Sequence, residues 1–414
     1  MSHTCRICAA PLETVFVDLG MAPPCEAFLR ADEDELPEST YPLRVRVCDA
    51  CLLVQLPEYL PADQIFTDRY PYFSSFSTSW VEHARRYAEE MTGRLRLGPG
   101  SLVVEVASND GYLLRHLAAA GVPVLGIEPT ANTAAAARAV GVPTVGEFLG
   151  RATGARIAAE HGRADLVVAN NVYAHVPDLA DFTGGLAALL AEDGLLTLEF
   201  PHVARLIEGR QLDTIYHEHF QYYTLLTAGR ALALGDLVVV DVEELTTHGG
   251  SLRVHARHRT YVDAAGVRPS PRVAELLERE AAAGLHQPAG YAGFAAAAQA
   301  VKRDLLTFLL DAQRAGQKVV GYGAPGKGNT MLNYCGIRAD LLPFTVDRNP
   351  GKHGMLLPGS HIPVRPVEDL ANARADFVLV LPWNLRAEIT EQLVDVREQG
   401  ARLVFALPVL EVVP

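Results

Sequence analysis

The stretch that decides the fold reads Leu102-Val103-Val104-Glu105-Val106-Ala107-Ser108-Asn109-Asp110-Gly111-Tyr112-Leu113-Leu114. It begins with β-branched and apolar residues, as a strand buried inside a parallel sheet does. The turn-forming run Ala-Ser-Asn-Asp-Gly follows, and apolar residues then return at helical spacing. A strand, a tight loop and a helix in this order predict the first unit of a doubly wound α/β sheet.

An acidic residue follows the next predicted strand. Residues 124–127 are apolar and are followed by Glu128, about 20 residues after the loop, where an acid suits the hydroxyls of a ribose. The first loop lacks the glycine spacing that lets a backbone approach a pyrophosphate. A nucleoside without phosphates therefore fits better, and S-adenosylmethionine is the common one. The alternative is an ordinary α/β loop with a solvated Glu128. The predicted cofactor ligands are Glu105, Ala107, Ser108, Asn109, Gly111, Glu128, Pro129, Phe148, Asn170 and Asn171.

The α/β pattern continues beyond these two strands. We predict a helix over 132–140, a short strand over 143–145, a strand over 165–169, a helix over 179–190, a strand over 194–200 and a closing hairpin within 237–254. Asn170, Asn171 and His175 follow the fourth strand. Because ligands bind outside the carboxyl ends of parallel strands, we expect these three side chains at the site. A lone histidine is otherwise more often structural.

Length and composition narrow the class of protein. The chain has 414 residues and a formal net charge of −13, which predicts two or three domains and argues against nucleic acid or an anionic membrane as the main partner. No apolar run reaches the roughly 18 to 20 residues that span a bilayer, and the first residues form no apolar signal segment. The six cysteines are expected to be reduced thiols. These features predict a soluble, cytoplasmic protein.

Two C-x-x-C pairs mark the N-terminal region. Cys5, Cys8, Cys48 and Cys51 provide the four thiolates that a structural zinc ion prefers. The residues between the pairs read as short strands of a ribbon. Four buried thiols or a redox pair are the alternatives, and no βαβ pattern follows the pairs, which disfavours redox chemistry. Cys25 and Cys335 stand alone and are interpreted as small core residues.

The segment 68–77 joins this region to the α/β domain. It is rich in tyrosine, phenylalanine and serine, and it includes Tyr70, Ser74 and Ser75. A simple linker would normally be rich in charged residues and poor in aromatic ones. The composition predicts either a lid or wall over a pocket, or packing between domains.

A second dense cluster reads Tyr216-His217-Glu218-His219. In a strand the two histidines would share a face without the glutamate, and on a helix they would lie far apart. Neither geometry makes three ligands converge on a metal ion. Acid–base chemistry fits better, because imidazole titrates near neutral pH and a carboxylate can orient it. Tyrosine can donate to a developing oxyanion.

The C-terminal region repeats the strand-loop-helix plan. Gly321, Gly323 and Gly326 fit G-x-G-x-x-G, and Asp347 lies about where an acid that binds a ribose should. A nicotinamide site is one interpretation. A lysine in such a loop is also a cradle for the pyrophosphate of a substrate, and a packing loop is the third possibility. The residues assigned to the substrate are Ser74, Ser75, Gly323, Lys327, Asn329 and Thr330.

The order of these motifs resembles the deoxysugar C-methyltransferases, S-adenosylmethionine enzymes of antibiotic sugar pathways. The motifs are the two C-x-x-C pairs, E-x-A-S-N-D-G, N-N-x-x-x-H-V-P and Y-H-E-H-F, and the resemblance covers essentially the whole chain. The cofactor loop departs from the family member with Gly-Cys-Asn, because this chain has Ala-Ser-Asn there. The resemblance implies a zinc-binding module over 1–68, a methyltransferase domain over 69–257 and a Rossmann-like domain over 258–414 that holds the nucleotide sugar.

The resemblance also implies a substrate and roles. The substrate would be a dTDP-linked 4-keto-6-deoxy sugar, methylated at C3, with C5 as the alternative. We expect His219, oriented by Glu218, to remove a proton beside the ketone, and His175, Tyr216 and Tyr70 to stabilise the enolate or place the sugar. The rivals are an O- or N-methyltransferase, a nicotinamide-dependent sugar oxidoreductase and an inactive zinc-ribbon scaffold. We expect a monomer or a weak oligomer.

Overall fold

A computed structural model describes residues 3–66 and 72–414. In these residues it contains a four-stranded, a seven-stranded and a six-stranded sheet, and a short two-stranded ladder. The chain is α/β, with each large sheet packed between helices, as the sequence predicts. No helix in the described residues combines the length and the apolar composition needed to cross a membrane.

The N-terminal module is a small antiparallel sheet. Its order is β1-β3-β4-β10, so the last strand comes from the middle of the chain. The elements are β1 (Val15–Ala22), β2 (Leu29–Arg30), β3 (Tyr41–Val47), β4 (Val54–Gln55) and α1 (Ala62–Ile65), with β10 (Gln221–Tyr222) completing the sheet. The predicted ribbon strands are present, and the sheet continues into the segment assigned to the methyltransferase domain.

The central sheet has the order β11-β12-β9-β8-β5-β6-β7, and β12 alone runs against the others. All residues of β5 and all but one of β8 are buried, as strands covered on both faces must be. The strands are β5 (Val103–Val106), β6 (Val124–Ile127), β7 (Thr144–Val145), β8 (Ala164–Asn170), β9 (Leu190–Pro201), β11 (Leu237–Leu245) and β12 (Ser251–His258).

Helices cover both faces of this sheet. The first begins at Ser77, whose hydroxyl accepts a hydrogen bond from the Trp80 backbone N–H at 3.3 Å and so caps the helix. The helices are α2 (Thr78–Leu95), α3 (Leu114–Ala119), α4 (Ala131–Ala139), α5 (Arg151–His161), α6 (Leu179–Leu189), α7 (Val203–Glu208) and α8 (Leu225–Leu232).

The C-terminal sheet has the order β16-β14-β13-β17-β18-β19, with only β19 antiparallel to its neighbour. Three helices lead into it, α9 (Arg259–Ala265), α10 (Pro271–Ala282) and α11 (Phe294–Arg314). The remaining elements are β13 (Val319–Tyr322), α12 (Gly326–Cys335), β14 (Thr345–Asp347), β15 (Met355–Leu356), β16 (Val364–Pro366), α13 (Asp369–Ala373), β17 (Phe377–Val380), α14 (Arg386–Gln392), α15 (Val394–Glu398), β18 (Arg402–Phe405) and β19 (Glu411–Val413).

The three modules share one core. Phe16 of β1 stacks on Phe294 of α11 with ring centroids 4.6 Å apart, and β2 pairs with β15. Strand order reverses between β5 and β8 in the central sheet and between β13 and β17 in the C-terminal sheet. Ligands bind at such reversal points, outside the carboxyl ends of the strands. A binding site is therefore expected where these two sheet edges approach each other.

Candidate active site

A cavity of about 630 Å³ lies where the two sheet edges approach each other. Residues of the zinc-binding module, the central sheet and the C-terminal sheet all line it. The predicted site residues that line the cavity are Ala107, Asn109, Glu128, Pro129, Phe148, Asn170, Asn171, Ser74, His175, Tyr216, Glu218, His219, Gly323 and Lys327. The structure therefore brings most of the predicted cofactor, catalytic and substrate residues to one site.

The loop after β5 is shaped by backbone conformations that few residues adopt. Ala107, Asn109 and Gly111 all have positive φ angles, of 56°, 49° and 77°. A Cβ added to Gly111 would lie 3.1 Å from a methyl group of Val142, so the loop also packs tightly against α4 and the connection that follows it. This packing fixes the loop and directs the Asn109 side chain and backbone toward the cavity.

Glu128 is the acid at the end of β6 and is 4% exposed. Its Oε2 accepts a hydrogen bond from the Asn109 backbone N–H at 2.9 Å, and its Oε1 accepts from the Thr130 N–H at 2.9 Å and from the Thr130 hydroxyl. A carboxylate has about four acceptor positions and three are used here, so about one remains for a further donor. The position and this capacity suit one hydroxyl of a ribose.

Six predicted ligand residues do not line the cavity. Glu105 is buried inside β5, where burial raises the pKa of its carboxyl well above the usual range and favours the neutral acid. Ser108 instead packs against Gly126, where a Cβ would collide with its hydroxyl oxygen. The others are Gly111, Ser75, Asn329 and Thr330.

Three of these six residues connect elements around the site. The Ser75 backbone N–H donates to Asp110 Oδ2 at 3.1 Å. Asn329 donates to the Cys25 carbonyl at 2.6 Å, and Thr330 donates to the Ile215 carbonyl at 3.0 Å. Helix α12 is thereby tied to the zinc-binding module and to the segment before the Tyr-His-Glu-His cluster. In this structure Asn329 and Thr330 hold the walls of the cavity together.

The described part of the aromatic and serine-rich segment, residues 72–77, forms a wall of the cavity. Asn109 holds it, because its Oδ1 accepts from the Ser74 backbone N–H at 2.9 Å and its Nδ2 donates to the Tyr72 carbonyl at 3.1 Å. Tyr72, Ser74 and Phe76 face the cavity, while Phe148 is 45% exposed on the same lining. The predicted catalytic Tyr70 lies outside the described residues.

His219 lies in a turn, and both of its ring nitrogens have partners. Nδ1 is 2.9 Å from the Thr214 carbonyl oxygen, and Nε2 is 2.8 Å from the Tyr216 hydroxyl oxygen. A carbonyl can only accept, so Nδ1 carries the proton and Nε2 has the lone pair that Tyr216 donates to. Burial, together with the nearby His175, lowers the pKa of His219 well below its usual range. The ring is therefore neutral near pH 7, with its basic nitrogen on the cavity.

We expected Glu218 to orient His219, but the structure shows other partners. The Thr214 carbonyl and the Tyr216 hydroxyl occupy the two ring nitrogens of His219. Glu218 Oε1 instead lies 3.6 Å from the Cys25 thiol sulfur, which can donate to it. Cys25 itself lines the cavity. The interpretation of Cys25 as a plain core residue missed that contact.

His175 faces His219 edge-on, with ring centroids 4.7 Å apart. Burial lowers the pKa of His175 to about 4. His175 is thus also neutral at physiological pH. Two neutral imidazoles and the Tyr216 hydroxyl meet at one end of the cavity, which is an arrangement suited to moving a proton.

Lys327 lies on the opposite wall, at the start of α12. Its Nζ donates to Asn384 Oδ1 at 3.1 Å and lies 5.3 Å from the centre of the Trp383 ring. Burial lowers the pKa of Lys327, and the nearby Asp213 raises it in part. Burial in turn raises the pKa of Asp213 to about 6. A buried ammonium group with few partners is a good site for an anion.

The glycine-rich loop packs on one side against the zinc-binding module. A Cβ built on Gly326 would lie 2.8 Å from Cys25 Sγ and 2.9 Å from Glu26 Oε1. Gly323, Gly326 and Lys327 still line the cavity, so the start of α12 remains open to an anion from that side. Asp347 accepts hydrogen bonds from the Ala324 backbone N–H at 2.7 Å and from the Asn349 N–H at 2.8 Å.

The four predicted zinc ligands converge. Their sulfur atoms all lie within 4.8 Å of one another, with Cys5 and Cys51 3.3 Å apart and Cys8 and Cys48 3.6 Å apart. Each pair sits on a turn that ends in a left-handed residue, Ala9 or Leu52, whose N–H returns to the first cysteine's carbonyl. The arrangement fits a tetrahedral zinc ion with no open position, which is a structural site.

Sequence reasoning missed several residues of the cavity. His248 lies in the connection between β11 and β12 and lines the cavity, as do Glu26, Arg348 and Lys352. One signal was present for His248, because it follows the carboxyl end of a strand that runs parallel to β5 and β8. The contribution of the zinc-binding module through Glu26 and Cys25 had no local signal, since it depends on how the modules pack.

Comparison with known proteins identifies the family. The chain is 34% identical to the C-methyltransferase NovU of Streptomyces niveus over 404 residues, which is 98% of this chain and 95% of that protein. The chain belongs to this C-methyltransferase family. Family models match it along its length, as a zinc binding domain over residues 5–66, a methyltransferase domain over 80–242 and a C-methyltransferase C-terminal domain over 246–408.

Other similarities are more limited. An uncharacterized methyltransferase of Mycobacterium leprae (strain Br4923) is 30% identical over 101 residues, 24% of this C-methyltransferase and 37% of that protein. Magnesium protoporphyrin IX methyltransferase from Synechocystis PCC 6803, solved with bound S-adenosylmethionine, gives a TM-score of 0.35 at 15% identity, covering 49% of this chain and 100% of that one. The family assignment makes this chain an S-adenosylmethionine-dependent C-methyltransferase with a zinc-binding module.

Proposed function

We propose that this C-methyltransferase methylates a ring carbon beside the ketone of a nucleotide diphosphate sugar. The specific proposal is C3 of a dTDP-linked 4-keto-6-deoxy sugar, with His219 as the base that forms the enolate. A carbon beside a ketone is acidic, and removing its proton places negative charge on the ketone oxygen. The site must supply a base near the carbon and hydrogen-bond donors near the oxygen.

The observation that carries the proposal is the distribution of charged side chains between two walls of the cavity. One wall is formed by the central domain and the other by the C-terminal domain. Among the described residues that line the cavity, all three lysine and arginine side chains, Lys327, Arg348 and Lys352, come from the C-terminal domain, which also contributes the acids Asp347 and Glu388. The charged lining residues of the central domain are all acidic: Glu128, Glu147, Asp178, Asp181 and Glu218. A cationic cofactor suits the acidic wall, and the diphosphate of a sugar nucleotide suits the basic wall.

The residues at the junction of the two walls fit proton removal. His219 Nε2 holds an unprotonated lone pair, and the Tyr216 hydroxyl that now donates to it at 2.8 Å can turn toward a substrate oxygen when a carbon acid takes its place. In this role Tyr216 stabilises the enolate oxygen while His219 keeps the proton. His175, 4.7 Å from His219 between ring centroids, adds a second neutral imidazole beside the same position.

The remaining residues bind and orient. S-adenosylmethionine supplies an electrophilic methyl group when it is bound. Glu128, Asn109 and the wall formed by Tyr72 and Ser74 would hold it with its ribose at the end of β6. Alignment of the methyl group with the nucleophilic carbon is a matter of position, and these contacts fix that position.

Two rival functions are less well supported. An O- or N-methyltransferase of a small metabolite needs neither the carbon-acid apparatus nor a wall that carries cations. A nicotinamide-dependent oxidoreductase would use the C-terminal domain for a dinucleotide, whereas the family models match a methyltransferase domain over 80–242 and a C-methyltransferase C-terminal domain over 246–408. Methylation at C5 rather than C3 uses the same residues and differs only in how the sugar is turned.

The test is a nuclear magnetic resonance experiment in heavy water with dTDP-4-keto-6-deoxyhexose, with and without S-adenosylmethionine. We expect deuterium to enter C3 without the cofactor and a new methyl group to appear on C3 with it. Exchange and methylation at C5 would move the position and keep the reaction class. Neither exchange nor methyl transfer on any ketosugar would reject the proposal.

The base is tested with His219→Asn. Because general-base catalysis contributes about 10²- to 10⁴-fold, we expect both exchange and methyl transfer to fall by about that factor while S-adenosylmethionine still binds by calorimetry. His217→Asn is the matched control, since His217 lies two positions away, is buried, and its Nε2 is 3.3 Å from the Tyr41 carbonyl oxygen instead of facing the cavity. Near-normal turnover of His219→Asn would remove it as the base.

A further inference from the structure

A third imidazole reaches the cavity on a loop that is held in an unusual conformation. His248 follows β11 and has φ of 52° and ψ of 24°, in the left-handed region that only a few per cent of non-glycine residues adopt, histidine more often than most. Gly249 and Gly250 follow with positive φ angles of 88° and 116°. Strained residues of this kind persist only where the surrounding structure holds them, and they cluster at functional sites.

Several contacts hold this loop in place. The Thr247 hydroxyl donates to Glu199 Oε1 at 2.8 Å, and the Gln211 side-chain amide donates to the Gly249 carbonyl at 2.7 Å. Glu199 is fully buried and also accepts from His83 Nε2 at 2.9 Å. A Cβ on Gly249 would come 2.5 Å from the Trp383 ring, so the C-terminal domain closes over the loop. The backbone at His248 is thus fixed from three sides.

The side chain of His248 uses one nitrogen for the protein. Its Nε2 lies 3.3 Å from the Asn171 side-chain nitrogen, and its ring packs 5.1 Å from the Trp80 ring. Asn171 is itself left-handed, with φ of 51° at the end of β8. With the amide donating to Nε2, the ring proton lies on Nδ1. Among the described residues no hydrogen-bond partner of Nδ1 is present, and His248 lines the cavity.

The position of His248 is between the two walls. It contacts Asn171 on the cofactor side, and on the substrate side the adjacent Gly249 packs against Trp383, whose ring centre lies 5.3 Å from Lys327 Nζ. Burial and the charge of Lys327 lower the pKa of His248 to about 4. The imidazole is therefore neutral and can donate through Nδ1 without carrying charge.

We infer that His248 is a substrate-positioning residue, which donates a hydrogen bond from Nδ1 to an oxygen substituent of the sugar ring. This inference rests on the proposed function, because it takes the sugar to lie between the cofactor loop and Lys327. It adds a residue that orients the ring and so helps to select which carbon faces His219. It assigns no proton transfer to His248.

The experiment compares the binding of dTDP and of dTDP-4-keto-6-deoxyhexose by calorimetry in the wild type and in His248→Gly. Glycine suits the left-handed backbone, so the loop keeps its conformation while the ring is removed. We expect ketosugar affinity to fall about tenfold, as for a lost hydrogen bond to a buried group, and dTDP affinity to stay within about twofold. Added imidazole should restore ketosugar binding by filling the space left by the ring.

A matched control is His286→Gly, because His286 is an exposed loop histidine far from the cavity lining. It should change neither affinity and should not respond to imidazole. An equal loss of dTDP and ketosugar affinity in His248→Gly, or a ketosugar affinity equal to that of the wild type, would overturn the inference. A wild type that binds dTDP and the ketosugar equally would overturn it as well. If the wild type bound neither dTDP nor the ketosugar, the inference and the proposed function would both be overturned. That result differs from those above, in which the wild type still binds dTDP.

Discussion

The central and C-terminal sheets present the same local plan to one cavity. In each, a tight loop follows the first strand and an acid follows the second, and a backbone N–H of the loop donates to that acid. The distances are 2.9 Å from Asn109 to Glu128 and 2.7 Å from Ala324 to Asp347. The neighbours differ, because lysine and arginine side chains face the cavity only from the C-terminal wall among the described residues. The comparison teaches that the strand-loop-helix plan fixes where a ligand binds, whereas the surrounding side chains decide whether a cationic or an anionic ligand is accepted.

The difference extends to the start of the helix after each loop. In the C-terminal domain the zinc-binding module covers Gly326 with Cys25 and Glu26. In the central domain the side chain of Asn109 instead holds the aromatic segment at Tyr72 and Ser74. Each wall is therefore completed by residues from outside its own sheet. For the C-terminal wall those residues come from a different domain.

The largest expected effect concerns the zinc ion that holds the module covering Gly326. In Cys48→Ser we expect loss of the bound zinc and a fall of roughly 10 °C or more in the midpoint of thermal unfolding, because structural zinc contributes directly to folding. Binding of both the cofactor and the nucleotide sugar should weaken, since Cys25 and Glu26 lie on the cavity. Metal analysis and calorimetry give the measurements.

Cys335→Ala is the control for that variant. Cys335 is buried in α12, where its sulfur is 4.0 Å from that of Met331, and it does not belong to the cysteine cluster. It should keep its zinc while losing a small amount of stability by truncation of a buried side chain. Full zinc content and unchanged ligand binding in Cys48→Ser would contradict a structural metal site.

How far the sequence predicts the site depends on whether the signal is local. Glu128 was predicted because a strand-end acid after a strand-loop-helix unit is visible within 30 residues of chain. The convergence of Cys5, Cys8, Cys48 and Cys51 was predicted because paired thiols specify it. Ser108 was placed wrongly in the cavity lining, since a loop that reverses its backbone at Ala107 and Asn109 turns the intervening side chain toward Gly126.

Long-range packing is what the sequence does not show. Glu26 and Cys25 reach the cavity only because the zinc-binding module packs between α12 and the turn that carries Glu218. One partner of the Glu218 side chain is Cys25, 193 positions away. His248 was recognised only as part of a hairpin, because its left-handed backbone and its contact with Asn171 arise from the tertiary structure.

An intermediate effect is expected from neutralising the acid at the end of the second strand of each sheet, Glu128 or Asp347. Glu128→Gln should weaken S-adenosylmethionine binding by about 10- to 100-fold, because hydrogen bonds to a charged group contribute about 1.5–3 kcal/mol. Asp347→Asn should leave the affinity for S-adenosylmethionine within about twofold of the wild type, although it has the same position in its own sheet. Calorimetry on both variants checks this. An equal loss of S-adenosylmethionine affinity in the two variants would contradict binding of the cofactor at the central wall alone.

The smallest expected effect tests the basic wall. Removing one cation that binds a diphosphate should raise the KM for the nucleotide sugar about tenfold with little change in kcat, because the contact is present in both ground and transition states. Lys327→Ala is the variant, which removes the hydrogen bond to Asn384 Oδ1, the contact with the Trp383 ring and the positive charge near Asp213. Lys302→Ala is the control, since its Nζ donates to the Tyr334 carbonyl at 2.6 Å outside the cavity. An unchanged KM in Lys327→Ala would remove the pyrophosphate role. The charge division would then have to rest on Arg348 and Lys352, and the same measurement on those two would decide whether the C-terminal wall holds an anion.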